Sequence, residues 1–195
     1  MQNDPLSEKQ SLDLIEEMII TAKQEQIGAA FYFILWGILT FIYAICMFLA
    51  VYYKIQWLAY SWVLFPIGGV LSILRVKRDD RIEKTKSISD RVYGFVWGAA
   101  GFYICVIISF GMKIGAENVM PLIILMYALA SFITGGITKY YPSVFGSLFC
   151  AVCAVFAFIF DVQYQFLLCA AAITGTHIIP GLMMKNYYKQ KMNAE

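Results

Sequence analysis

Apolar positions in this chain do not alternate with polar ones at the period of a strand. They come in six long runs, near Ala29–Val51, Ala59–Leu74, Val92–Met112, Met120–Thr138, Ser143–Phe160 and Phe166–Met184. A helix needs about 20 consecutive, mostly apolar residues to cross the hydrocarbon core of a bilayer. No water is available there for backbone groups, so a spanning segment must be a helix or part of a closed barrel. Runs of this length without alternation argue for helices. The pattern predicts an all-α integral membrane bundle of six transmembrane helices, of which the second is the shortest.

Before the first run the periodicity changes. Ser7 with Gln10 three residues on is a capping-box signature, and Leu12, Ile15, Met18, Ile19 and Ala22 then recur at helical spacing. Asp13, Glu16, Glu17 and Lys23 lie on the other faces. This predicts an amphipathic helix over 8–26, broken near Gly28. The organisation is therefore an N-terminal amphipathic segment (1–27), a six-helix membrane domain (28–186) and a short tail (187–195). The N-terminal segment is poor in Lys and Arg, which makes it a weak electrostatic membrane binder. It is expected to dock on the bundle, to self-associate or to meet a cytoplasmic protein partner. The first run is too long for the core of a cleavable signal peptide, so it reads as an uncleaved anchor.

Composition agrees: 61% of residues are hydrophobic and 14% charged, against about a quarter charged in soluble domains. Charge placement then sets orientation, because Lys and Arg accumulate beside spans on the cytoplasmic side. With the N-terminus inside, 13 of the 15 basic residues are cytoplasmic, and only Lys54 and Lys113 face out. Both termini are placed in the cytoplasm. Seven of the 13 lie in the 75–91 loop, RVKRDDRIEKTKSISDR, mixed with Asp79, Asp80, Glu83 and Asp90. That loop is expected to be solvated and able to contact anionic lipid headgroups; no nucleic-acid partner is expected. The other links are short, which forces consecutive spans to be antiparallel neighbours.

A motif recurs. YFILWG at 32–37 and YGFVWG at 93–98 are joined, on the looser pattern Tyr-x-x-x-[Trp/Phe]-Gly, by YPSVFG at 141–146. Each copy opens an odd-numbered run. The even runs share PIGG at 66–69, ITGG at 133–136 and ITGT at 173–176. The economical reading is three tandem two-helix hairpins in one orientation, a repeat logic also met in membrane transport folds. Tyr and Trp four apart share a helix face, the Tyr settles at headgroup level, and the Gly lets a neighbouring helix approach. The alternative is a cavity lined by the symmetric aromatics, Trp36 and Trp97 among them.

Chemistry is sparse. No acidic or basic residue falls in the middle of a run, which counts against ion-coupled carriers and pumps. The one histidine, His177, stands in TGTHIIPG, where Thr174 and Thr176 make a polar ligand or headgroup conceivable. Backbone carbonyls are the plainer partners for its nitrogens, and Pro180-Gly181 after it reads as a kink or early stop. Cys150-x-x-Cys153 has redox spacing but lies inside an apolar run, where thiols act as small hydrophobes. All five cysteines fall in such runs. No catalytic constellation, cofactor motif or metal-ligand cluster is present in the sequence, and an enzyme is not expected.

Taken together, KQSLDLIEEMI, FILWG, EKTKSISDRVYGFVWG, ITGGI and HIIPG resemble a family of small six-helix inner-membrane proteins of Bacteroidota over nearly the full length. The resemblance implies a bacterial inner (plasma) membrane location and brings no activity or ligand with it. The functional expectation is a non-enzymatic scaffold, sensor or regulator acting through its cytoplasmic face, alone or as a homo-oligomer. The alternative is a transporter or pore for a small neutral or apolar solute.

Overall fold

The computed structural model describes residues 8–79 and 88–193, with side chains for 30–78 and 93–187. Helix α1 (Glu8–Tyr52) is 45 residues long and unbroken. The expected break at Gly28 does not occur. One interior glycine costs about 1 kcal/mol relative to alanine, and the Ala-, Gln- and Leu-rich sequence on either side carries the helix through. The side chains of the expected amphipathic face, 8–26, lie outside the described residues.

A turn with Lys54 at φ 57° leads into a 3₁₀ segment (Gln56–Val63) and α2 (Leu64–Asp79). There follow α3 (Ile88–Ser109), the single turn α4 (Gly111–Ile114), α5 (Ala116–Ile137), α6 (Tyr141–Ala157) and α7 (Val162–Ile173). A π-helical turn (Thr174–Ile178) then joins α7 to α8 (Ile179–Asn193). The described residues contain no strand. The charged 75–91 loop is helical at both ends, and the Arg75 guanidinium lies 5.2 Å from the centre of the Phe31 ring of α1. Residues 80–87 of the loop are outside the described set.

Among the described residues, four helices are long and apolar enough to cross a membrane: Ala30–Tyr52, Gln56–Arg78, Ala116–Ile137 and Val162–Tyr187. Tyr93–Ser109 and Tyr141–Ala157 are shorter apolar helices. The second of these is longer than the 59–74 expected from the sequence, because the 3₁₀ segment adds Gln56–Leu58 and α2 runs on past residue 74 to Arg78.

Helices α1, α5, α6 and α7–α8 pack on one another, whereas α2 leans on α1 and α3 on α5. The core between them is built largely of small side chains: Ala44, Ala128, Cys150, Cys153, Ala154, Ala157, Cys169, Ala170 and Ala172, with Ile124, Met120 and Phe166. Small residues let backbones come close, which is how helices associate without a hydrophobic drive between them. The cysteines are free thiols, and Cys150 Sγ donates to the Ile124 carbonyl at 3.4 Å. Cys150, Cys153 and Cys169 are thus packing residues. Large apolar side chains point outward instead, including Phe95, Phe102, Phe145 and Ile159. A water-facing surface rarely carries so broad an apolar belt; a lipid-facing one does.

Candidate ligand site

Pro180 cannot donate to the carbonyl one turn back, and its ring crowds that carbonyl. The helix answers by widening into the π turn at Thr174–Ile178 rather than by stopping, and α8 continues to Asn193. Single π turns of this kind concentrate at functional sites. The threonines serve the turn itself. Thr174 Oγ1 donates to the Ala170 carbonyl at 2.7 Å, and Thr176 Oγ1 donates to Ala172 at 2.7 Å, with the Gly146 carbonyl at 3.1 Å. They satisfy backbone groups, as Ser and Thr do in apolar helices.

The same widening turns His177 into the bundle, where it is 2% exposed. Three aromatic rings from three helices surround it: Phe33 of α1 at 5.3 Å, Trp97 of α3 at 5.2 Å and Tyr127 of α5 at 5.5 Å between centroids. The expected backbone carbonyl partner is missing at one nitrogen, since Nδ1 has no hydrogen-bond partner among the described residues. Close approach of the turn to α1 requires Gly37: a Cβ there would lie 3.0 Å from His177 Cβ and 2.9 Å from Ile178 Cγ1. On the opposite flank Gly146 of α6 abuts the Gly175 carbonyl. The first and third copies of the repeat therefore clamp the π turn from two sides. The second copy does not, as nothing lies within 4 Å of where a Gly98 Cβ would be.

The repeat aromatics also part company. Trp97 faces His177, but Trp36 stacks on Phe65 of α2 at 6.4 Å, and Phe145 points outward, 69% exposed. They do not converge on one cavity.

A cleft of about 470 Å³ opens near the end of the bundle that carries the α1–α2, α3–α5 and α6–α7 links, walled by Tyr43, Trp62, Phe65, Ile123 and Phe166 among others. Tyr43 bridges its sides, with ring contacts to Phe65 at 5.0 Å and to Phe166 at 6.4 Å. The wall is apolar and aromatic, with a polar pair one helical turn further in: Thr40 Oγ1 and the Tyr127 hydroxyl, 3.5 Å apart. Among the described residues no three metal-ligating side chains converge.

Of the residues singled out from sequence, His177 and Trp97 meet, Thr174 and Thr176 frame the turn, and Trp36 lies elsewhere. Phe33, Thr40, Tyr43 and Tyr127 were not foreseen. A signal for two of them existed: ten of the 13 tyrosines lie at span ends, and Tyr43 and Tyr127 are among the three that do not. A mid-span hydroxyl needs a partner and so marks the interior. In comparison with known proteins, no family model, no curated protein and no solved structure matches this chain.

Proposed function

We propose that this is a six-helix protein of the bacterial plasma membrane, with both termini cytoplasmic, that takes a small, mostly apolar molecule from the bilayer into the cleft. It carries or senses that molecule and performs no reaction on it. The observation that carries the reading is the cleft itself: aromatic-walled, open on the side where Trp62 and Ile108 are more than half exposed, and, at about 470 Å³, within the volume range of small-molecule sites. Six crossings are supported by length, since a 17-residue helix such as α6 falls at the short end of the spanning range, and they agree with the 13-to-2 division of basic residues.

A sensor is favoured over a simple carrier by α1. Its 45 residues run unbroken from the cytoplasmic segment to Gly37 under the π turn and Tyr43 in the cleft wall. A shift of the cleft wall would reach the cytoplasmic end as a movement of one stiff rod, where a protein partner, a second copy or anionic lipid at the 75–91 loop receives it.

Filling the cleft tests the reading. Ile123→Trp places an indole in it from the α5 side. Native mass spectrometry of full-length protein purified in mild detergent is expected to find a small molecule on the wild type. Its occupancy is expected to fall about tenfold in the variant, as for a contact worth roughly 1.4 kcal/mol, with the melting temperature nearly unchanged. No small molecule on either protein, or equal occupancy on both, would refute the binding reading.

A further inference from the structure

We infer that the molecule bound in the cleft ends in a carbonyl oxygen on an apolar ring, as a membrane-soluble quinone does, and that Tyr127 and His177 receive this oxygen. The inference rests on the binding reading above and narrows it to a ligand class.

The inner end of the cleft is defined by two helix faces. On α1, Tyr43 of the cleft wall stands three residues from Thr40; on α5, Ile123 stands four residues from Tyr127. Residues three and four apart on a helix share a face, so the Thr40–Tyr127 pair stands one turn behind the lining residues and closes the inner end of the cleft. Beyond that pair lies the His177 ring, 5.5 Å from Tyr127.

Two polar groups at this end lack good partners. The Tyr127–Thr40 contact of 3.5 Å exceeds the roughly 2.5–3.0 Å usual for O–H···O bonds. The Nδ1 of His177 has no partner among the described residues, although the side chain is 98% buried. Both groups would gain from an acceptor. A carbonyl oxygen has two lone pairs and accepts from an O–H and an N–H together, so one ligand atom satisfies both. A wholly apolar ligand would leave both unmet. A charged one would find no opposite charge, because none of the cleft-lining residues is Asp, Glu, Lys or Arg. The weak Tyr127–Thr40 closure gives way as the oxygen enters, and the apolar body stays among Tyr43, Phe65 and Phe166.

The test uses the full-length chain in nanodiscs and two probes of equal size, a 2-alkyl-1,4-naphthoquinone and the 2-alkylnaphthalene lacking both oxygens. Calorimetric titration is expected to give at least about tenfold tighter binding of the quinone, the gain of one to two buried hydrogen bonds. His177→Phe is expected to erase that preference while leaving naphthalene binding intact, and His177→Asn, which keeps an N–H near the Nδ1 position, to restore part of it. Ile123→Trp is expected to weaken both probes. Equal affinity of the two probes for the wild type, or a preference that survives His177→Phe, overturns the quinone assignment and leaves the cleft reading standing. Failure of both probes to bind overturns the two together. Should His177→Phe fail to fold, the infrared carbonyl stretch of the quinone on wild-type protein decides: a downshift from its value in lipid supports the hydrogen bond, and an unshifted band refutes it.

Discussion

Gly146→Ala is expected to destabilise the protein, whereas Gly98→Ala, at the equivalent position of the repeated motif, leaves it unchanged or slightly more stable. Sequence alone makes these two glycines interchangeable. Structurally they are opposites. A Cβ on Gly146 would run into the Gly175 carbonyl and stand 3.1 Å from Thr176 Cα. All of these are backbone atoms of the π turn, which cannot move aside as a flexible side chain would. The helices must separate, and the Thr176 hydroxyl, which lies 3.1 Å from the Gly146 carbonyl, moves with them. Overpacking of this kind costs about 1–3 kcal/mol, or roughly 3–10 °C in melting temperature for a chain of this size. Gly146→Val is expected to abolish monodisperse folded protein. At Gly98 nothing lies within 4 Å, so alanine only removes the entropic penalty of glycine in a helix, about 0.5–1 kcal/mol. Thermal denaturation followed by fluorescence-detected size exclusion reads both. A loss at Gly98 equal to that at Gly146 would mean that α3 is clamped as α1 and α6 are, and the packing described above would be wrong.

Gln165→Leu is expected to cost about 2–3 kcal/mol, and Pro121→Ala to recover part of that loss. Pro121 lies inside α5 and has no N–H, so the Glu117 carbonyl one turn earlier lacks its helical donor. The Nε2 of buried Gln165, on α7, fills the gap at 2.9 Å and also donates to the Phe160 carbonyl at 3.2 Å. Leucine removes both bonds and leaves two carbonyls unmet in an apolar setting, each a penalty of about 1–3 kcal/mol. The unpartnered Gln165 Oε1 is lost as well, which moderates the total. Restoring an N–H at 121 satisfies Glu117 without Gln165. A double-mutant cycle is therefore expected to show a coupling of about 1 kcal/mol between two positions far apart in sequence but joined through one carbonyl. Strict additivity would show that Gln165 does not replace the missing proline donor.

Much of the fold could be read from the chain because lipid imposes few solutions on long apolar runs. All six runs are helical, and the short links do join packed neighbours. Where reading failed, a local rule met a stronger neighbour. Gly28 did not break α1 because good helix formers flank it. Pro180 did not end the last run because one widened turn absorbs its missing N–H and its bulk. The repeat was legible as a pattern but not as packing: Gly37 and Gly146 look alike and act alike, while Gly98 only looks alike.

The candidate site was half visible. His177 stood out as the one histidine, and Trp97 as a repeat aromatic. Trp36 carried the same signal, yet its ring lies on Phe65 because register around α1, which no single run of apolar residues encodes, turns it toward α2. Phe33 could not be told from lipid-facing phenylalanines for the same reason. Thr174 and Thr176 were read as ligand-side polar groups, although hydroxyls in apolar helices turn first to their own backbone.

The measurement that bears most directly on the account is the sidedness of the connections, because six crossings and four crossings make opposite demands. Alkaline phosphatase, active only outside the cytoplasm, and a fluorescent protein that matures only inside it, are fused in turn after Gly115 and after Lys139. If α3 and α6 cross as the account requires, the phosphatase is active after Gly115 and the fluorescent protein is bright after Lys139. If only the four long helices cross, the two positions exchange sides. That outcome would contradict the six-helix bundle and, with it, the placement of the cleft.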